Sequence, residues 1–414
     1  MWSKVFALGR AKAIASRIRE KAAHIFLGAC SHKLEPDTAD KIVNDHYFDC
    51  AVRGPSEDIF ANLPSILGRR FVPGVIYDNA RLAGTNEGFE TVRPSIPKSA
   101  SYNSLDQVAS PYLSHVLDGF LAEQQQRRDG KFRAFLSSSR GCQFACHFCS
   151  RSVKYEKVRY FSAARFYGEI EYLHTNFGVN RFFVLDDAFL CSKKRLKELK
   201  DEFERCKITT PSLGIISLYV MARPESMDVE VIEFMSALNV RYLQIGLQTI
   251  NPALQHFMGR PIDVAYFREI KAWLDKYKIA LQLDVILGFP GDTVEWMIKT
   301  VTYATSLDPA SIQLKQLYLN PFTAFHVDQL KHELATEEDQ TRDAFDADFD
   351  APYVVGGRGL DERYYVDTNT AIMEEIQKRP DIRWKYLSKR QRFVSTNFYP
   401  GVPKTSDAQL HAGV

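Results

Sequence analysis

The sequence predicts an α/β protein whose core is a partial barrel of six parallel strands, a (β/α)6 arrangement. Between residues 132 and 319, strand and helix patterns alternate six times. The strands are short apolar runs such as Phe182-Phe183-Val184-Leu185, which are typical of a parallel sheet covered by helices. Six units are fewer than the eight of a closed barrel, so the expected barrel is incomplete. Functional sites in such sheets lie at the carboxyl ends of the strands.

Each expected strand is an apolar run bounded by turn residues or by a helical pattern. The six strands are expected at residues 132–137, 182–185, 215–220, 242–247, 281–287 and 312–319. Between them, apolar residues recur at helical spacing. The first of these helices has Ser162 as its N-cap candidate and ends at Gly178. Later helices are expected at 229–238, 264–277 and 294–304.

Three regions follow from this pattern. Residues 1–115 form a smaller α/β region, residues 116–325 form the core barrel, and residues 326–414 form a C-terminal extension. In the first region we expect helices at 10–21, 36–43 and 57–67 and strands at 24–27 and 48–52. In the extension, residues 379–392 are basic with interspersed aromatics. That stretch favours a solvated helix face that also lines a substrate channel over an RNA-binding surface.

Composition and charge exclude several classes of protein. The 414 residues carry a net charge of +2, so no strong overall field favours nucleic acid or an anionic membrane. No apolar run approaches the roughly 18 residues that a transmembrane helix needs. The apolar stretch at residues 5–8 is too short for the core of a signal peptide. We therefore expect a cytoplasmic protein with no membrane partner.

Three of the seven cysteines lie within eight residues, directly after the first expected barrel strand. Cys142, Cys146 and Cys149 have the spacing C-x-x-x-C-x-x-C. Thiolates are the usual protein ligands of iron–sulfur clusters. Three cysteines on a cluster of four irons leave one iron open to a small molecule. The alternatives are a zinc site that also uses His147 and a chance grouping of structural cysteines.

This motif resembles the signature of the radical S-adenosylmethionine (SAM) superfamily, including the aromatic residue Phe148 before the last cysteine. The resemblance implies a [4Fe-4S] cluster on the three cysteines, with SAM bound at the open iron. An electron from the reduced cluster then breaks a carbon–sulfur bond of SAM and starts radical chemistry. It also implies a reductant such as flavodoxin or ferredoxin. Which residues of this chain are catalytic toward the substrate cannot be assigned from the motif.

Further segments resemble the family in the same order along the chain. They follow the second, third, fourth and fifth strands of the expected barrel, where the family contacts SAM. The resemblance implies that the cofactor-binding residues are Phe148, Asp186, Asp187, Arg223, Gln248, Gly288 and Pro290. Gln248 stands where many relatives carry Glu.

The first region resembles the last part of a cobalamin-binding domain found in many radical SAM enzymes. The similar segments are residues 27–32, 49–57 and 110–113. Many such domains have a D-x-H-x-x-G loop with the histidine that ligates cobalt, and this sequence has none. We therefore interpret residues 1–115 as a truncated cobalamin-binding-like domain and expect no bound cobalamin.

The sequence thus predicts a radical SAM enzyme, a transferase in biosynthesis, that acts on a small-molecule natural product. Two alternatives concern the reaction and its substrate. The enzyme could transfer the 3-amino-3-carboxypropyl group of SAM, or it could modify or methylate a peptide or an RNA by radical chemistry, although we do not expect nucleic acid as a partner. A third is an iron–sulfur sensor without turnover. No cysteine follows Cys206, which is evidence against a C-terminal auxiliary cluster.

Overall fold

A computed structural model describes most of the core and short segments elsewhere. The described residues are 18, 28–31, 50–53, 75–77, 104–127, 133–149, 158–189, 192–317, 323–327, 335–337, 353–356, 374, 378, 379 and 381–387. The chain divides into two compact units. One comprises Met1–Asn103 and Glu338–Ala351, and the other comprises Ser104–Glu337 and Pro352–Val414.

The described part of the first unit is a small mixed sheet. Its strands are β1 (Gly28–Ser31), β2 (Cys50–Arg53) and β3 (Val75–Tyr77). β1 pairs with β2 in parallel, and β2 pairs with β3 antiparallel. β2 overlaps the strand expected at 48–52, whereas β1 lies directly after the strand expected at 24–27, whose residues are outside the described ones. β3 was not predicted. Apart from helical Ile18, the helices expected at 10–21, 36–43 and 57–67 lie outside the described residues.

The second unit contains the predicted parallel sheet. In chain order its strands are β4 (Ala134–Leu136), β5 (Ser139–Arg140), β6 (Arg159–Tyr160), β7 (Arg181–Val184), β8 (Ser217–Ala222), β9 (Val240–Gln248), β10 (Ala280–Leu287), β11 (Ser311–Gln316), β12 (Ala335–Glu337), β13 (Tyr353–Gly356) and β14 (Arg383–Leu387). The main sheet has the order β14-β11-β10-β9-β8-β7-β4, and every pairing in it is parallel. β5 with β6 and β12 with β13 form two small antiparallel pairs. Each of the six predicted strands thus lies beside its neighbour in chain order, which confirms the partial-barrel fold class.

Helices connect these strands at the predicted places. In chain order they are α1 (Asp118–Arg127), α2 (Ala163–Phe177), α3 (Lys193–Thr209), α4 (Val229–Ala237), α5 (Pro252–Phe257), α6 (Tyr266–Lys276), α7 (Val294–Ser306) and α8 (Ala324–Val327). Ser162 caps α2 as predicted, since its side chain accepts a hydrogen bond from the Arg165 backbone N–H. Gly178 ends α2 with φ of 66°, the left-handed conformation that glycine adopts without strain. None of the described helices is long and apolar enough to cross a membrane.

Alternation along the strands gives the main sheet two different faces. On β8, Leu218 and Val220 are fully buried and belong to the core that packs under the helices. Tyr219 and Met221 alternate with them and are only half-buried. The same alternation holds on β7 and β9, so the face opposite the helices is a partly open concave surface.

The seventh strand, β14, differs from the expectation of a solvated helix at residues 379–392. It pairs in parallel with β11, with Arg383 beside Ser311 and Leu387 beside Lys315. β11 would otherwise leave a row of unpaired backbone groups along the edge of the sheet. Pairing with that edge explains why this basic sequence forms a strand, since the strand adds main-chain hydrogen bonds to β11 and alternates basic residues with Trp384 and Tyr386.

Candidate functional site

The three cysteines lie on the loop that follows β4 and β5, at the carboxyl end of the sheet. Cys146 is buried, while Cys142 and Cys149 are half-buried. The backbone N–H of Cys149 donates to the carbonyl of Cys146 at 3.1 Å, which closes a tight turn between them. The three thiols are close enough for each to affect the ionisation of another. The loop therefore gathers three potential ligands at one place.

The environment of these thiols fits a cationic group. Burial raises the pKa of Cys142 to about 11, and a hydrogen bond from the Phe144 backbone opposes this only in part. Burial also raises the pKa of Cys146. Metal ligation needs the thiolate, so deprotonation here requires a group that brings positive charge. Within the described residues, no three Cys, His, Asp or Glu side chains converge to hold a single metal ion. A four-iron cluster, which is larger than one ion, fits the donor set of three thiols.

Asp186 fixes the start of the cysteine loop. It is fully buried, and its Oδ1 accepts hydrogen bonds from the backbone N–H groups of Ser138 at 2.7 Å and Ser139 at 3.0 Å. Its Oδ2 accepts a third, from the Ser138 hydroxyl at 2.5 Å. Burial nevertheless raises the pKa of this carboxyl, because the hydrogen bonds offset only part of the lost hydration. Asp186 therefore links β7 to the segment that leads into Cys142.

Asp187, the next residue, has a different environment. It is half-buried, and its charge acts on the thiol of Cys142. Asp186 is fully buried whereas Asp187 keeps part of its surface exposed, so the two neighbours have different environments beyond the end of β7. The structure thus places Asp187 beside the cysteine loop, while Asp186 supports the start of that loop through its hydrogen bonds.

Arg223 directly contacts one cysteine. Its Nη1 lies 3.2 Å from Cys146 Sγ, and its guanidinium lies 3.8 Å from the centre of the Phe144 ring. Glu225 accepts two hydrogen bonds from it, from Nη2 at 2.6 Å and from Nε at 3.0 Å. Arg223 follows β8 directly, so the carboxyl end of that strand places it beside the loop, as the sequence predicted.

A second arginine, Arg260, lies behind Arg223, and the sequence analysis did not identify it. It is 4% exposed, and its Nη2 donates to the Gly246 carbonyl at 2.7 Å. Its Nε is buried without a hydrogen-bond partner, and the nearest acid, Glu225, is 4.0 Å away. Burial and the charge of Arg223 lower the pKa of Arg260, while the thiols of Cys146 and Cys149 act in the opposite direction. A cation this buried is costly unless an anion pairs with it.

Gln248 lies next to Arg260 at the carboxyl end of β9. Its φ is 61°, an uncommon conformation for a residue other than glycine. Its Oε1 is buried without a hydrogen-bond partner. The side chain folds over Gly246, where a Cβ would overlap with Gln248 Nε2 and approach Arg260 Nη1 to 3.0 Å. Strained backbone and an unsatisfied acceptor together are typical of a ligand-binding position.

The remaining predicted residues surround the same end of the sheet. Gly288 is buried with φ of 79°, and Pro290 is half-buried in the loop after β10. Phe148 packs edge-on against Phe289, with 5.9 Å between the ring centres. In the same loop, His147 shares a hydrogen bond through Nδ1 with the Phe257 carbonyl at 2.8 Å, and its backbone N–H donates to Met258. These contacts attach the cysteine loop to the turn that carries Arg260.

Known proteins resemble this chain in both sequence and fold. Residues 136–304 match the model of the Radical SAM superfamily. An uncharacterized methyltransferase of Pyrococcus horikoshii is 26% identical over 262 residues, which are 63% of this chain and 53% of that protein. The cobalamin-dependent radical SAM methyltransferase TokK of Streptomyces tokunonensis is 27% identical over 180 residues, covering 43% of this chain and 24% of TokK. The chain therefore spans about half the length of the first relative and a quarter of the second.

Solved structures share the fold at low sequence identity. The radical SAM methyltransferase TsrM of Kitasatospora setae, solved with tryptophan substrate and the SAM analogue aza-SAM, has a TM-score of 0.66 at 17% identity. The match covers 91% of this chain and 76% of TsrM. The cobalamin-dependent enzyme OxsB, solved with aqua-cobalamin and SAM, has a TM-score of 0.60 at 13% identity, over 90% of this chain and 56% of OxsB.

Proposed function

Because the chain is a radical SAM superfamily enzyme, we propose that it holds a [4Fe-4S] cluster on Cys142, Cys146 and Cys149 and cleaves SAM to start radical chemistry on a small-molecule natural product. One observation carries this proposal: the three thiols share one end of the sheet with two buried polar atoms that have no partner, Gln248 Oε1 and Arg260 Nε. When bound, the cluster supplies the electron that breaks a carbon–sulfur bond of SAM.

The protein groups around the loop suit the charged end of SAM. That end carries a carboxylate and an ammonium group. Arg260 is a buried cation with an unsatisfied donor, so it is the residue we assign to the carboxylate. Asp187 is the carboxylate beside Cys142, and we assign it to the ammonium group. Gln248 Oε1 is a second acceptor for the same molecule.

The remaining residues keep the site in shape and exclude water. Asp186 anchors the start of the loop through Ser138 and Ser139. Phe148 and Phe289 form an apolar side of the site. A flavodoxin or a ferredoxin is the expected source of the electron.

Cobalamin-dependent methyl transfer is a second candidate, because TokK and TsrM are named as methyltransferases and TokK as cobalamin-dependent. Protein produced with a cobalamin supply would be analysed by its absorption spectrum and by mass spectrometry. Stoichiometric cobalamin would favour methyl transfer, and S-adenosylhomocysteine among the products would support it further.

Anaerobic reconstitution followed by dithionite reduction in the presence of SAM tests the leading proposal. Mass spectrometry would distinguish 5′-deoxyadenosine, expected for radical initiation, from 5′-methylthioadenosine, expected for 3-amino-3-carboxypropyl transfer. The variant in which Cys142, Cys146 and Cys149 are all Ala should lose iron, sulfide and SAM cleavage together. A variant that kept a full cluster would contradict the assignment of the ligands.

The role of Arg260 has its own test. Arg260→Gln should weaken SAM binding about 10- to 100-fold, the range for loss of a charge-assisted hydrogen bond. Arg268→Gln is the matched control, because Arg268 lies on the exposed side of α6. Both variants would be titrated with SAM after their iron content is measured. Equal affinity in the two variants, with full clusters, would remove Arg260 from the SAM site.

A further inference from the structure

Polar side chains are joined across the concave face of the main sheet. The Tyr219 hydroxyl on β8 contacts the side-chain oxygens of Gln244 at 2.5 Å and of Gln282 at 3.1 Å. The amide groups of these two glutamines donate to Asp284, at 2.5 Å and 3.1 Å respectively. Gln282 also donates to Gln313 at 3.2 Å. These five side chains connect β8, β9, β10 and β11, and so they form a polar floor that closes the face at this level.

The polar floor limits where a ligand can lie on this face. Its central members, Gln282 and Asp284, are buried. Buried polar side chains that satisfy one another hold a network rigid. A ligand on this face therefore contacts the floor from the cysteine end of the sheet and does not pass through it.

Lys315 differs from the members of the floor, because it is a cation that remains accessible. It lies two residues beyond Gln313 on β11, toward the carboxyl end, and so on the same face of the sheet. Ile312 and Leu314 alternate with these two residues and are fully buried in the core. The Lys315 side chain is 31% exposed, whereas that of Asp284 is 12% exposed. The ammonium group therefore lies on the open side of the floor.

The charge of Lys315 is only partly compensated. Its Nζ lies 3.6 Å from Asp284 Oδ2, which is longer than the roughly 2.7–3.2 Å of an N–H···O hydrogen bond. Both oxygens of Asp284 already accept hydrogen bonds from the floor. Within the described residues, Lys315 has no other acidic partner. Because an ammonium group has three N–H donors, Lys315 has donors available for a ligand.

Lys315 faces the same end of the sheet as the residues that we assign to SAM. The Gln248 side chain folds over Gly246, and its Oε1 has no hydrogen-bond partner. Gly246 is the register partner of Asp284, and Lys315 is the register partner of Ile286, further along the same strand β10. Strands lie about 4.8 Å apart, so two spacings place Gln248 and Lys315 roughly 10 Å apart across the sheet. A small molecule can span that distance.

We propose that Lys315 binds an anionic group of the substrate, a carboxylate or a phosphate, and thereby selects small molecules that carry such a group. Asp284 stabilises Lys315 while the site is empty, because a poorly hydrated cation is costly without a counter-charge. The bound anion adds charge-assisted hydrogen bonds with the ammonium group. This inference rests on the proposed function, since the reacting end of the substrate is the end nearest SAM.

Two pairs of probes test the proposal on the cluster-loaded enzyme. 4-Phenylbutyrate and 4-phenylbutanol differ only in the group at the end of the chain, and benzyl phosphate and benzyl alcohol provide the phosphate arm. Binding would be measured by anaerobic isothermal titration calorimetry. We expect at least one anion to bind at least about tenfold more tightly than its uncharged counterpart, on the scale of one charge-assisted contact. The arm with the larger ratio identifies the preferred anion.

Variants of the ion pair give effects of opposite sign. Lys315→Gln should abolish the preference for the anion, and Lys315→Arg, which keeps the charge, should retain most of it. Asp284→Asn should strengthen binding of the anion, because the ligand then becomes the main counter-charge of Lys315, whereas general damage to the floor would weaken it. Lys299→Gln is the matched control, because Lys299 also pairs with an acid, Glu295, but is 51% exposed on α7.

Three results would overturn the proposal. The first is a wild type that shows no preference for either anion, including one that binds neither. The second is an unchanged preference in Lys315→Gln. The third is weaker binding of the anion by Asp284→Asn when its thermal unfolding matches that of the wild type.

The same measurements distinguish failure of the anion site from failure of the proposed function. Probe binding needs no SAM cleavage, so it can be measured whatever the reaction is. Lysine-dependent binding without SAM cleavage would preserve the anion site and contradict the proposed function. SAM cleavage without lysine-dependent binding would do the reverse.

Discussion

Arg223 Nη1 lies 3.2 Å from Cys146 Sγ, so a cationic N–H group donates to one of the three proposed cluster ligands. Two other contacts hold the guanidinium in this position. Glu225 accepts two hydrogen bonds from it, and the Phe144 ring lies 3.8 Å beneath it. A guanidinium with this many restraints loses little conformational freedom when it contacts sulfur.

We predict that Arg223 raises the reduction potential of the cluster. Hydrogen bonds to cluster sulfurs and nearby positive charge favour the reduced, more negative state. Arg223→Gln removes the charge, so the potential should fall by roughly 30–60 mV, given about 59 mV per tenfold change for a one-electron couple. The measurement is a redox titration followed by electron paramagnetic resonance of the reduced cluster.

Two further variants make this prediction specific. Arg205→Gln changes the net charge of the protein equally at a position on α3 that is 62% exposed, and it should leave the potential unchanged. Glu225→Gln keeps the charge of Arg223 and removes a carboxylate that acts on Cys146, so in this variant the potential should not fall. A potential for Arg223→Gln equal to that of Arg205→Gln would mean that the contact with Cys146 does not affect the cluster.

The sequence contains most of the information that locates this site, but not all of it. The apolar runs identified the strands, and the spacing of the cysteines identified the loop. Alternation of burial also distinguishes Asp186 from Asp187: Phe182, Val184 and Asp186 are buried, whereas Asp187 is half-buried. The sequence analysis assigned both residues to the cofactor because it did not apply that alternation past the end of the strand.

Other features could not be predicted from local patterns. Arg260 lies beyond α5, and nothing in its own segment indicates that it is buried beside Arg223 and Cys146. β14 alternates basic with aromatic residues, Arg383-Trp384-Lys385-Tyr386, but five residues are too few to identify a strand without the edge that β11 offers. Both depend on contacts between distant parts of the chain. The domain boundaries at 115 and 325 and the roles of the cofactor residues remain predictions.

We predict opposite phenotypes for the two adjacent aspartates. Asp187→Asn should weaken SAM binding by about 10- to 100-fold, because the half-buried carboxylate beside Cys142 loses the charge that we assign to the ammonium group of SAM. Asp186→Asn should instead reduce stability by about 1–3 kcal/mol and lower cluster loading. The amide has only one oxygen to replace two that accept three hydrogen bonds from Ser138 and Ser139.

Each of these variants is the control for the other. Iron content, thermal unfolding and SAM titration would be measured for both under the same anaerobic conditions. The predicted division of roles is contradicted if Asp186→Asn binds SAM more weakly at full cluster loading while Asp187→Asn binds it normally. In that case the buried residue, and not its half-buried neighbour, would act on SAM.

Replacing Gly246 by Ala should impair SAM binding more than folding. The new Cβ would overlap with Gln248 Nε2 and come within 3.0 Å of Arg260 Nη1. The amide end of Gln248 can rotate away, so the cost to stability is expected to be small. Gln248 and Arg260, which we assign to SAM binding, would however be displaced from their positions. Gly119→Ala on α1 is the matched control, since nothing lies within 4 Å of its added Cβ. Equal SAM affinity in these two variants would contradict the role of Gln248.

The last prediction concerns Asp292, a buried carboxyl in the loop between β10 and α7. It is 1% exposed, and its Oδ1 accepts a hydrogen bond from the Thr293 backbone N–H at 2.9 Å. Burial raises its pKa to about 7, and that single hydrogen bond offsets little of the shift. The folded protein therefore holds this proton more tightly than the unfolded chain does. The resulting stability is complete below about pH 4 and is lost as the pH rises through about 7.

Asp292→Asn should remove this pH dependence, because the amide resembles the protonated carboxyl and does not titrate. Relative to wild type, the variant should gain roughly 2–3 kcal/mol of stability between about pH 5 and about pH 8. Thermal unfolding of the anaerobic, cluster-loaded proteins across this range measures the difference. Asp201→Asn, at an exposed position on α3, controls for the general effect of removing one carboxylate. Parallel pH profiles for wild type and Asp292→Asn would show that Asp292 titrates normally, so that the folded loop leaves it accessible to water.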